Sequence, residues 1–309
     1  MKSILNHAGF LKTAGGTLAL SAVASGVQSA EVVAPKKRNL KKGFMMSTFP
    51  GGKSMSWVEK FKLLKEAGFD GAEPPSHLDQ KEILKARDAA GIEIASVVAG
   101  PHTRSMSAAA PSIRGQGSEG LKQALRDAKA YGASSVLCVA GHVNENATYA
   151  DAWERTREEI AKCIPLAEEL GVKIAVENVW NNFLLSPLEA ARYVDEFKSP
   201  AVGWHFDVGN VISIGWPEHW IEILGARIQK LHIKEFSRKK MNEDGLRKGF
   251  EVDYLEGDND WPAVMRALDQ IQYQGWCIVE PACGPCKEKV SAEEFVRNVS
   301  VQLDKILAS

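Results

Sequence analysis

The sequence predicts an α/β protein: a single-domain (β/α)8 barrel, or TIM barrel, that follows an N-terminal export signal. Eight strand-like segments alternate with amphipathic segments across residues 43–309. The strand segments are GFMMSTF, GFDGAEP, IEIASVVAG, SSVLCVAG, VKIAVENV, VGWHFDVGN, IQKLHIKEF and GWCIVEP. Eight such units match a closed barrel better than an open doubly wound sheet. No glycine-rich phosphate loop follows the first strand, which argues against a dinucleotide-binding sheet.

The helices between these strands are predicted from apolar residues at helical spacing. The clearest segments are SWVEKFKLLKEAG, LKQALRDAKAYG, WERTREEIAKCIPLAEELG and DWPAVMRALDQIQYQG. Many of the predicted helices end at a glycine just before the next strand, where glycine can adopt the left-handed cap conformation. These glycines are Gly68, Gly91, Gly132, Gly171 and Gly275. The pattern leaves no second domain to predict.

The first 42 residues differ in character from the barrel. Residues 1–30 combine lysines with a weakly apolar run of small residues, TAGGTLALSAVASGV, which is typical of an export signal. Residues 31–42 contain five basic residues and are predicted to be a solvated linker. We therefore expect a periplasmic protein. The arginine pair of a twin-arginine signal is missing, which leaves a Sec-type export signal, with a decayed signal on a cytoplasmic protein as the alternative.

Composition narrows the classes of partner. The chain has 309 residues, 45% of them hydrophobic, and its 38 basic and 39 acidic residues give a net charge of −1. A nucleic-acid-binding surface normally needs a basic excess, so no nucleic-acid partner is expected. No apolar run is long enough for a membrane span in the mature chain. A small-molecule partner is the expectation, and a homo-oligomer is left open.

Four side chains at the ends of the last four predicted strands suggest a metal site. They are Glu177, Asp207, His232 and Glu280. Barrel enzymes carry their chemistry at this end of the strands, so the four side chains should converge. Three oxygen donors and one nitrogen donor favour one divalent ion, Mn²⁺ first, with Mg²⁺, Co²⁺ or Zn²⁺ as alternatives.

The segments VENVWNNFLLSPLEAARYVDEF, FDVGN and LHIKEFSR carry a family resemblance. The chain resembles the sugar phosphate isomerase/epimerase group of the xylose isomerase-like barrels, which includes the ketose 3-epimerases. The resemblance implies that the four residues bind the metal. It also implies that Glu177 and Glu280 move a proton through a metal-stabilised enediolate, and that Arg238 contacts substrate oxygens. The implied substrate is a ketose or keto-sugar, phosphorylated or not.

Two departures from the ketose 3-epimerase pattern leave the reaction open. Phe183 stands where those enzymes carry a second glutamate, and Asn210 stands where they tend to carry a histidine. A lyase or dehydratase that uses the same enolate is therefore an alternative to an isomerase or epimerase. A phosphodiesterase resembling endonuclease IV is less favoured, because its three-zinc cluster needs more histidines. A non-catalytic sugar-binding barrel is the third class, and the intact quartet argues against it.

Four more residues near the predicted strand ends are candidate substrate contacts. His102 and His142 follow the third and fourth strands, and Lys234 shares the inward parity of His232. Lys234 could equally pair with a nearby carboxylate. His205 lies two residues before Asp207, where substrate binding and a satisfied internal histidine are equally good interpretations.

The cysteines are interpreted mainly as structural. Cys283 and Cys286 copy a thioredoxin-like Cys-Gly-Pro-Cys motif, but they follow the last barrel strand and not the first strand of a small βαβ sheet. A disulfide is favoured over redox catalysis if the protein is exported. Cys138, Cys163 and Cys277 lie in apolar patterns and are expected in the core.

Overall fold

The computed structural model describes residues 38–51 and 54–309. The predicted export signal, residues 1–30, and the first part of the predicted linker lie outside the described residues and remain predictions. Among the described helices, none combines the length and the apolarity that a bilayer crossing requires.

The described strands form one parallel barrel sheet, as predicted. They are β1 (Leu40–Met45), β2 (Gly71–Glu73), β3 (Glu93–Ile94), β4 (Val97–Val98), β5 (Ser135–Cys138), β6 (Lys173–Glu177), β7 (Val202–Asp207), β8 (Ile228–Ile233) and β9 (Gly275–Val279). The sheet order is β3-β2-β1-β9-β8-β7-β6-β5-β4. Segments β3 and β4 are separated only by Ala95 and Ser96, and they pair with β2 and β5 respectively. They are two parts of the third barrel strand, so the sheet closes with eight strand positions.

Helices surround this sheet. They are α1 (Trp57–Glu66), α2 (Gln80–Ala90), α3 (Gly100–Thr103), α4 (Pro111–Tyr131), α5 (Tyr149–Ala161), α6 (Ile164–Leu170), α7 (Pro187–Asp195), α8 (Pro217–Leu224), α9 (Arg238–Asp244), α10 (Trp261–Gln270), α11 (Gly284–Glu288) and α12 (Ala292–Leu307). Gly91, Gly132 and Gly171 cap their helices with positive φ, as predicted. The single helix predicted over WERTREEIAKCIPLAEELG is two helices, α5 and α6. Pro165 explains the break, because it lacks an N–H and its ring disfavours helix before it.

The first strand begins earlier than the sequence indicated. Strand β1 starts at Leu40, inside the predicted linker. Arg38 pairs with Asp269, Lys41 with Glu93 and Lys42 with Asp304. The end of this basic segment therefore belongs to the barrel and is not a solvated linker. Its positive charges are paired with carboxylates that are distant in sequence.

Side-chain alternation along the strands fills the barrel interior. Trp276 and Ile278 of β9 form a buried apolar cluster with Ala95. The ring of Trp276 lies against the backbone of β2: a Cβ added to Gly71 would stand 2.4 Å from two indole carbons. Glycine at position 71 is therefore required by this close approach, not by a turn.

We expect Gly71→Ala to destabilise the barrel by about 1–3 kcal/mol, because the added methyl group overpacks a rigid interior. Gly115→Ala is the matched control, because nothing lies within 4 Å of a Cβ at that position in α4. Alanine should stabilise that helix by up to about 1 kcal/mol. Urea unfolding measures both changes, and equal free energies of unfolding for the two variants would contradict the packing.

Candidate metal centre and active-site cavity

The four predicted metal-binding side chains meet at the mouth of the barrel. Glu177 ends β6, Asp207 ends β7, His232 lies in β8 and Glu280 directly follows β9. One potential ligand atom from each lies within 4.8 Å of the others. The parallel strands bring these positions together at one rim, although they span more than a hundred residues of sequence; Asp207 pairs with His232 across β7 and β8, after a register shift at Trp204 and His205.

His232 stands at the centre of the group. Its Nδ1 atom is 2.8 Å from Glu177 Oε1, 3.1 Å from Glu280 Oε2 and 3.9 Å from Asp207 Oδ2. His232 and Asp207 are fully buried. Three carboxylates around one imidazole nitrogen fit a divalent cation of the Mn²⁺ or Mg²⁺ type, because such ions prefer oxygen ligands and accept imidazole.

Asp207 is held in place by two asparagines. The backbone N–H of Asn210 donates to Asp207 Oδ1 at 2.7 Å. The side chain of Asn178 donates to the carbonyl of Asp207 at 2.7 Å and accepts from its N–H at 3.0 Å. Asn178 directly follows Glu177, so it fixes the ends of β6 and β7 relative to each other.

Lys234 brings a positive charge to the same group. Its Nζ atom lies 2.7 Å from Glu280 Oε1 and 3.3 Å from Asp207 Oδ2. It also lies 5.0 Å from the centre of the Phe250 ring. The sequence predicts that Lys234 either contacts substrate or pairs with a neighbouring carboxylate. These distances show the ion pair.

Glu73 is a buried partner that the predicted quartet did not include. Its Oε2 atom is 2.7 Å from His232 Nε2, and its other oxygen accepts a hydrogen bond from Ser96. Glu73, His232 and His205 are fully buried. In sequence, Glu73 closes the strand segment GFDGAEP just as the other acids close theirs, but nothing there distinguishes it from a carboxylate that caps a loop.

Burial and mutual repulsion shift the acid groups in different directions. Burial raises the pKa of Asp207 to about 8 and also raises the pKa of Glu177. Burial acts the same way on Glu280, but Lys234 and His232 outweigh it and hold the pKa of Glu280 well below its usual value. For His232, burial lowers the pKa, yet Glu73, Glu177 and Glu280 together raise it well above the ordinary histidine value.

A cavity of about 850 Å³ opens above the quartet. Glu177, Glu280, Lys234 and His142 line it, so these predicted residues share one space. The lining also contains residues that sequence reasoning did not select as site residues: Arg104, Asn181, Arg247, Trp180 and Phe250. All of these lie outside the strands. Arg104, Arg247 and Phe250 lie in short 3-10 helices, and Trp180 and Asn181 lie on the loop after β6, so strand patterns give no direction for their side chains. Two guanidinium groups and two aromatic rings suit a polar molecule with one apolar face.

The other predicted substrate contacts lie elsewhere among the described residues. The His102 ring stacks on His77, with ring centres 3.7 Å apart, and its Cβ packs against Gly120 of α4. The Arg238 guanidinium donates to the carbonyls of Ile212 and Gly215, both at 2.9 Å. His205 lies beneath the quartet, with its ring centre 4.2 Å from that of His232. A role in substrate contact for His102, Arg238 and His205 remains a prediction that these positions do not support.

The two departures from the ketose 3-epimerase pattern have clear structural roles. Phe183 is buried and packs on Tyr149, Trp153 and Tyr193, so it anchors the loop after β6. Asn210 lines the cavity, donates to the Asn178 carbonyl at 2.9 Å and lies 3.3 Å from Lys234 Nζ. Phenylalanine has no polar group in its side chain, so position 183 cannot hydrogen-bond a substrate oxygen.

The cysteines agree with the structural interpretation. Cys283 and Cys286 form a disulfide at the start of α11, three residues beyond Glu280. Cys138, Cys163 and Cys277 are free and buried. Burial raises the pKa of each of these three thiols to about 12, so they are not reactive thiolates at neutral pH.

The fold and the site together define a (β/α)8 barrel with a carboxylate–histidine cluster at its mouth. Residues 61–297 match the family described as xylose isomerase-like TIM barrel. Because this match covers most of the chain, the protein belongs to that family.

Several curated relatives are similar in sequence. An inosose dehydratase of Clostridium perfringens strain 13 is 25% identical over 164 residues, which cover 48% of this chain and 54% of the relative. The chain thus spans about half the length of this relative. SgbU of Escherichia coli strain K12, whose name proposes an L-ribulose-5-phosphate 3-epimerase, is 26% identical over 257 residues. That match covers 77% of this chain and 88% of SgbU.

Solved structures show the same fold. A D-psicose 3-epimerase crystallised in the presence of D-fructose matches with a TM-score of 0.71 and 17% identity, over 87% of this chain and all of that one. The 3-keto-D-glucoside 4-epimerase of E. coli matches with a TM-score of 0.70 and 16% identity, over 88% of this chain and all of that one. At these identities the likeness establishes the fold alone.

The shifted pKa values lead to a prediction about metal binding. Burial raises the pKa of Asp207 to about 8, and the surrounding carboxylates raise the pKa of His232 above its ordinary value, so both groups hold a proton more tightly than free side chains do. A cation must displace those protons, so its apparent affinity should rise with pH from 6 to 8. The rise should be roughly tenfold per pH unit for each proton displaced. Titration calorimetry with Mn²⁺ in two buffers of different ionisation enthalpy measures the released protons. Equal heats in both buffers would contradict the raised pKa values.

Proposed function

We propose that the protein is a divalent-metal-dependent isomerase or epimerase of a ketose or keto-sugar. The observation that carries this proposal is the position of Glu177 and Glu280. Both carboxylates line one cavity and both lie within about 3 Å of the same imidazole nitrogen. They come from β6 and the end of β9, two strands that β7 and β8 separate in the barrel. Two carboxylates presented from different parts of the rim can address two sides of a bound sugar carbon.

The proton chemistry can be assigned to these two residues. One carboxylate removes the proton from the carbon next to the carbonyl, and the electron pair of the broken C–H bond moves toward the carbonyl oxygen. The other carboxylate returns a proton to the same carbon from its opposite face, which inverts the centre. When bound by Glu177, Asp207, His232 and Glu280, the divalent ion supplies Lewis-acid stabilisation of the negative charge that develops on the substrate oxygens.

The remaining residues of the cavity bind and orient the substrate in this proposal. Lys234 Nζ, already within 3.3 Å of Asp207 and Asn210, is placed to donate to a sugar oxygen. Trp180 and Phe250, with ring centres 4.8 Å apart, form an aromatic wall that can pack on the apolar face of a sugar. Arg104 and Arg247 add positive charge to the same cavity, which suits a phosphorylated or an oxygen-rich substrate. The His142 imidazole also lines the cavity and can donate a hydrogen bond to a substrate oxygen or accept one from a substrate hydroxyl.

The relatives support the epimerase assignment without fixing the substrate. SgbU and the D-psicose 3-epimerase carry names for epimerisation at the third carbon of a ketose. Phe183 stands on the loop after β6 in place of a second glutamate. The part of the substrate that faces this loop should therefore differ from that of the ketose 3-epimerase substrates.

A dehydratase is the second candidate, and the matches to several inosose dehydratases favour it. The same proton removal next to a carbonyl, followed by loss of a hydroxyl group from the neighbouring carbon, releases water. The two candidates share the metal site and differ in what leaves the substrate after the C–H bond breaks.

The first experiment is elemental mass spectrometry of the purified protein and of Asp207→Ala. We expect about one divalent metal ion per chain in the wild type and a large loss in the variant, because Asp207 is a buried ligand with no catalytic role in the proposal. No metal in the wild type, and none taken up from Mn²⁺ solution, would rule out the proposed centre.

The second experiment follows exchange of the substrate C–H with deuterium oxide by NMR. D-Psicose, D-fructose, L-ribulose and a keto-cyclitol are offered to the Mn²⁺-loaded protein. Glu177→Gln and Glu280→Gln should each reduce exchange by about 10²–10⁴-fold, the usual contribution of a general acid or base. The metal content of each variant is measured alongside, so that loss of the ion is distinguished from loss of the proton carrier.

Glu235→Gln is the control for both variants, because Glu235 is a buried carboxylate near the same strand end. It bonds Trp261 and the loop at Leu255, and it does not line the cavity. Exchange at the wild-type rate in Glu177→Gln or Glu280→Gln would remove that residue from the proposed mechanism. Exchange accompanied by loss of water would favour the dehydratase over the epimerase.

A further inference from the structure

We infer that Glu73 is a positioning residue for the metal centre: it holds the His232 ring so that Nδ1 faces the three ligand carboxylates. This inference rests on the proposed metal site. Glu73 belongs to β2, which is separated from the β8 strand of His232 by β1 and β9 in the barrel order. It therefore reaches His232 across the barrel interior and contacts Nε2, whereas Glu177 and Glu280 contact Nδ1.

The contacts leave the Glu73 carboxylate little freedom. One oxygen lies 2.7 Å from His232 Nε2, and the other accepts from the Ser96 hydroxyl. The side chains of Glu73, His232 and Ser96 are completely shielded from solvent. A carboxylate bonded on both oxygens and enclosed on all sides has one orientation, and it imposes that orientation on the imidazole that it contacts.

The chemistry of imidazole makes this contact directional. A neutral histidine has one N–H donor and one nitrogen with a free lone pair, and the bond made by one nitrogen decides which is which. An ionised carboxylate only accepts, so Glu73 retains hydrogen on Nε2 and leaves the Nδ1 lone pair for the cation. The negative charge also makes Nδ1 a stronger donor. The ligand carboxylates on the Nδ1 side cannot supply this effect, because they occupy the position of the cation's other ligands.

A second cation between Glu73 and His232 is the competing interpretation, since Glu73, His205 and His232 also place ligand atoms within 4.8 Å of one another. The surroundings of these three residues decide against it. Glu73, His205 and His232 have no exposed surface, and none of them lines the cavity, so an ion and its water ligands would have no room there. One Glu73 oxygen already accepts from the Ser96 hydroxyl, and the other lies at hydrogen-bond distance from His232 Nε2.

The test compares Glu73→Gln, Glu73→Ala and the wild type in Mn²⁺ affinity, measured by calorimetry at one pH. Glutamine keeps the size and an acceptor oxygen but loses the charge, so we expect affinity to fall about tenfold. Alanine removes the acceptor as well, so we expect a loss of about a hundredfold. Glu235→Gln is the matched control, a buried carboxylate outside the site, and should bind Mn²⁺ as the wild type does.

A spectroscopic readout separates positioning from a general loss of structure. In zinc-loaded protein with ¹⁵N-labelled histidine, the wild type and Glu73→Gln should show a His232 Nε2–H proton that is protected from solvent exchange. This resonance also decides the matter if Glu73→Ala does not fold. Its absence from the zinc-loaded wild type, or wild-type Mn²⁺ affinity in a folded Glu73→Gln or Glu73→Ala, would overturn the inference. Failure of the wild type to bind any divalent ion would instead overturn the metal site itself.

Discussion

The burial of several carboxylates around one imidazole is the constraint on which the functional part of this molecule depends. Carboxylates at such short separations repel each other, and removal from water adds a further cost. The structure offsets that cost with His232 and Lys234, and a divalent cation would offset more of it. Asn178 and Asn210 also hydrogen-bond Asp207, and these bonds hold its carboxylate in place against the repulsion of the neighbouring carboxylates.

The barrel provides the geometry that makes such a cluster achievable. Strand alternation aims every second side chain inward, and the common direction of the strands places their ends at one rim. Trp276 and Ile278 form a buried apolar cluster with Ala95 inside the barrel, and Glu73 and His205 lie against the His232 ring. The site therefore rests on strands, and only the walls of the cavity are built from loops.

This division explains what the sequence could and could not predict. The strand segments, their order and the convergence of Glu177, Asp207, His232 and Glu280 follow from local patterns, and the structure has all of them. The sequence does not distinguish Glu73 from other carboxylates at strand ends, because its partner His232 is distant in sequence and on a non-adjacent strand. Arg238 follows a family spacing, yet its direction depends on the carbonyls of a loop that no periodicity describes. Pro165 favours a break between helices, but the apolar pattern around it continues at helical spacing and predicts one helix.

The filled interior of the barrel also determines how a metal ion and a substrate can reach the site. Glu73, His205 and His232 have no exposed surface, and Trp276 packs against Gly71 below them. Within the described part of the chain, the cavity above the quartet is the route from solvent to the ligand atoms. The ion and the sugar must then enter through the same cavity, and the ion binds at its inner end. A bound sugar would block the path of the ion, so the ion should bind first and should exchange slowly while the sugar is bound.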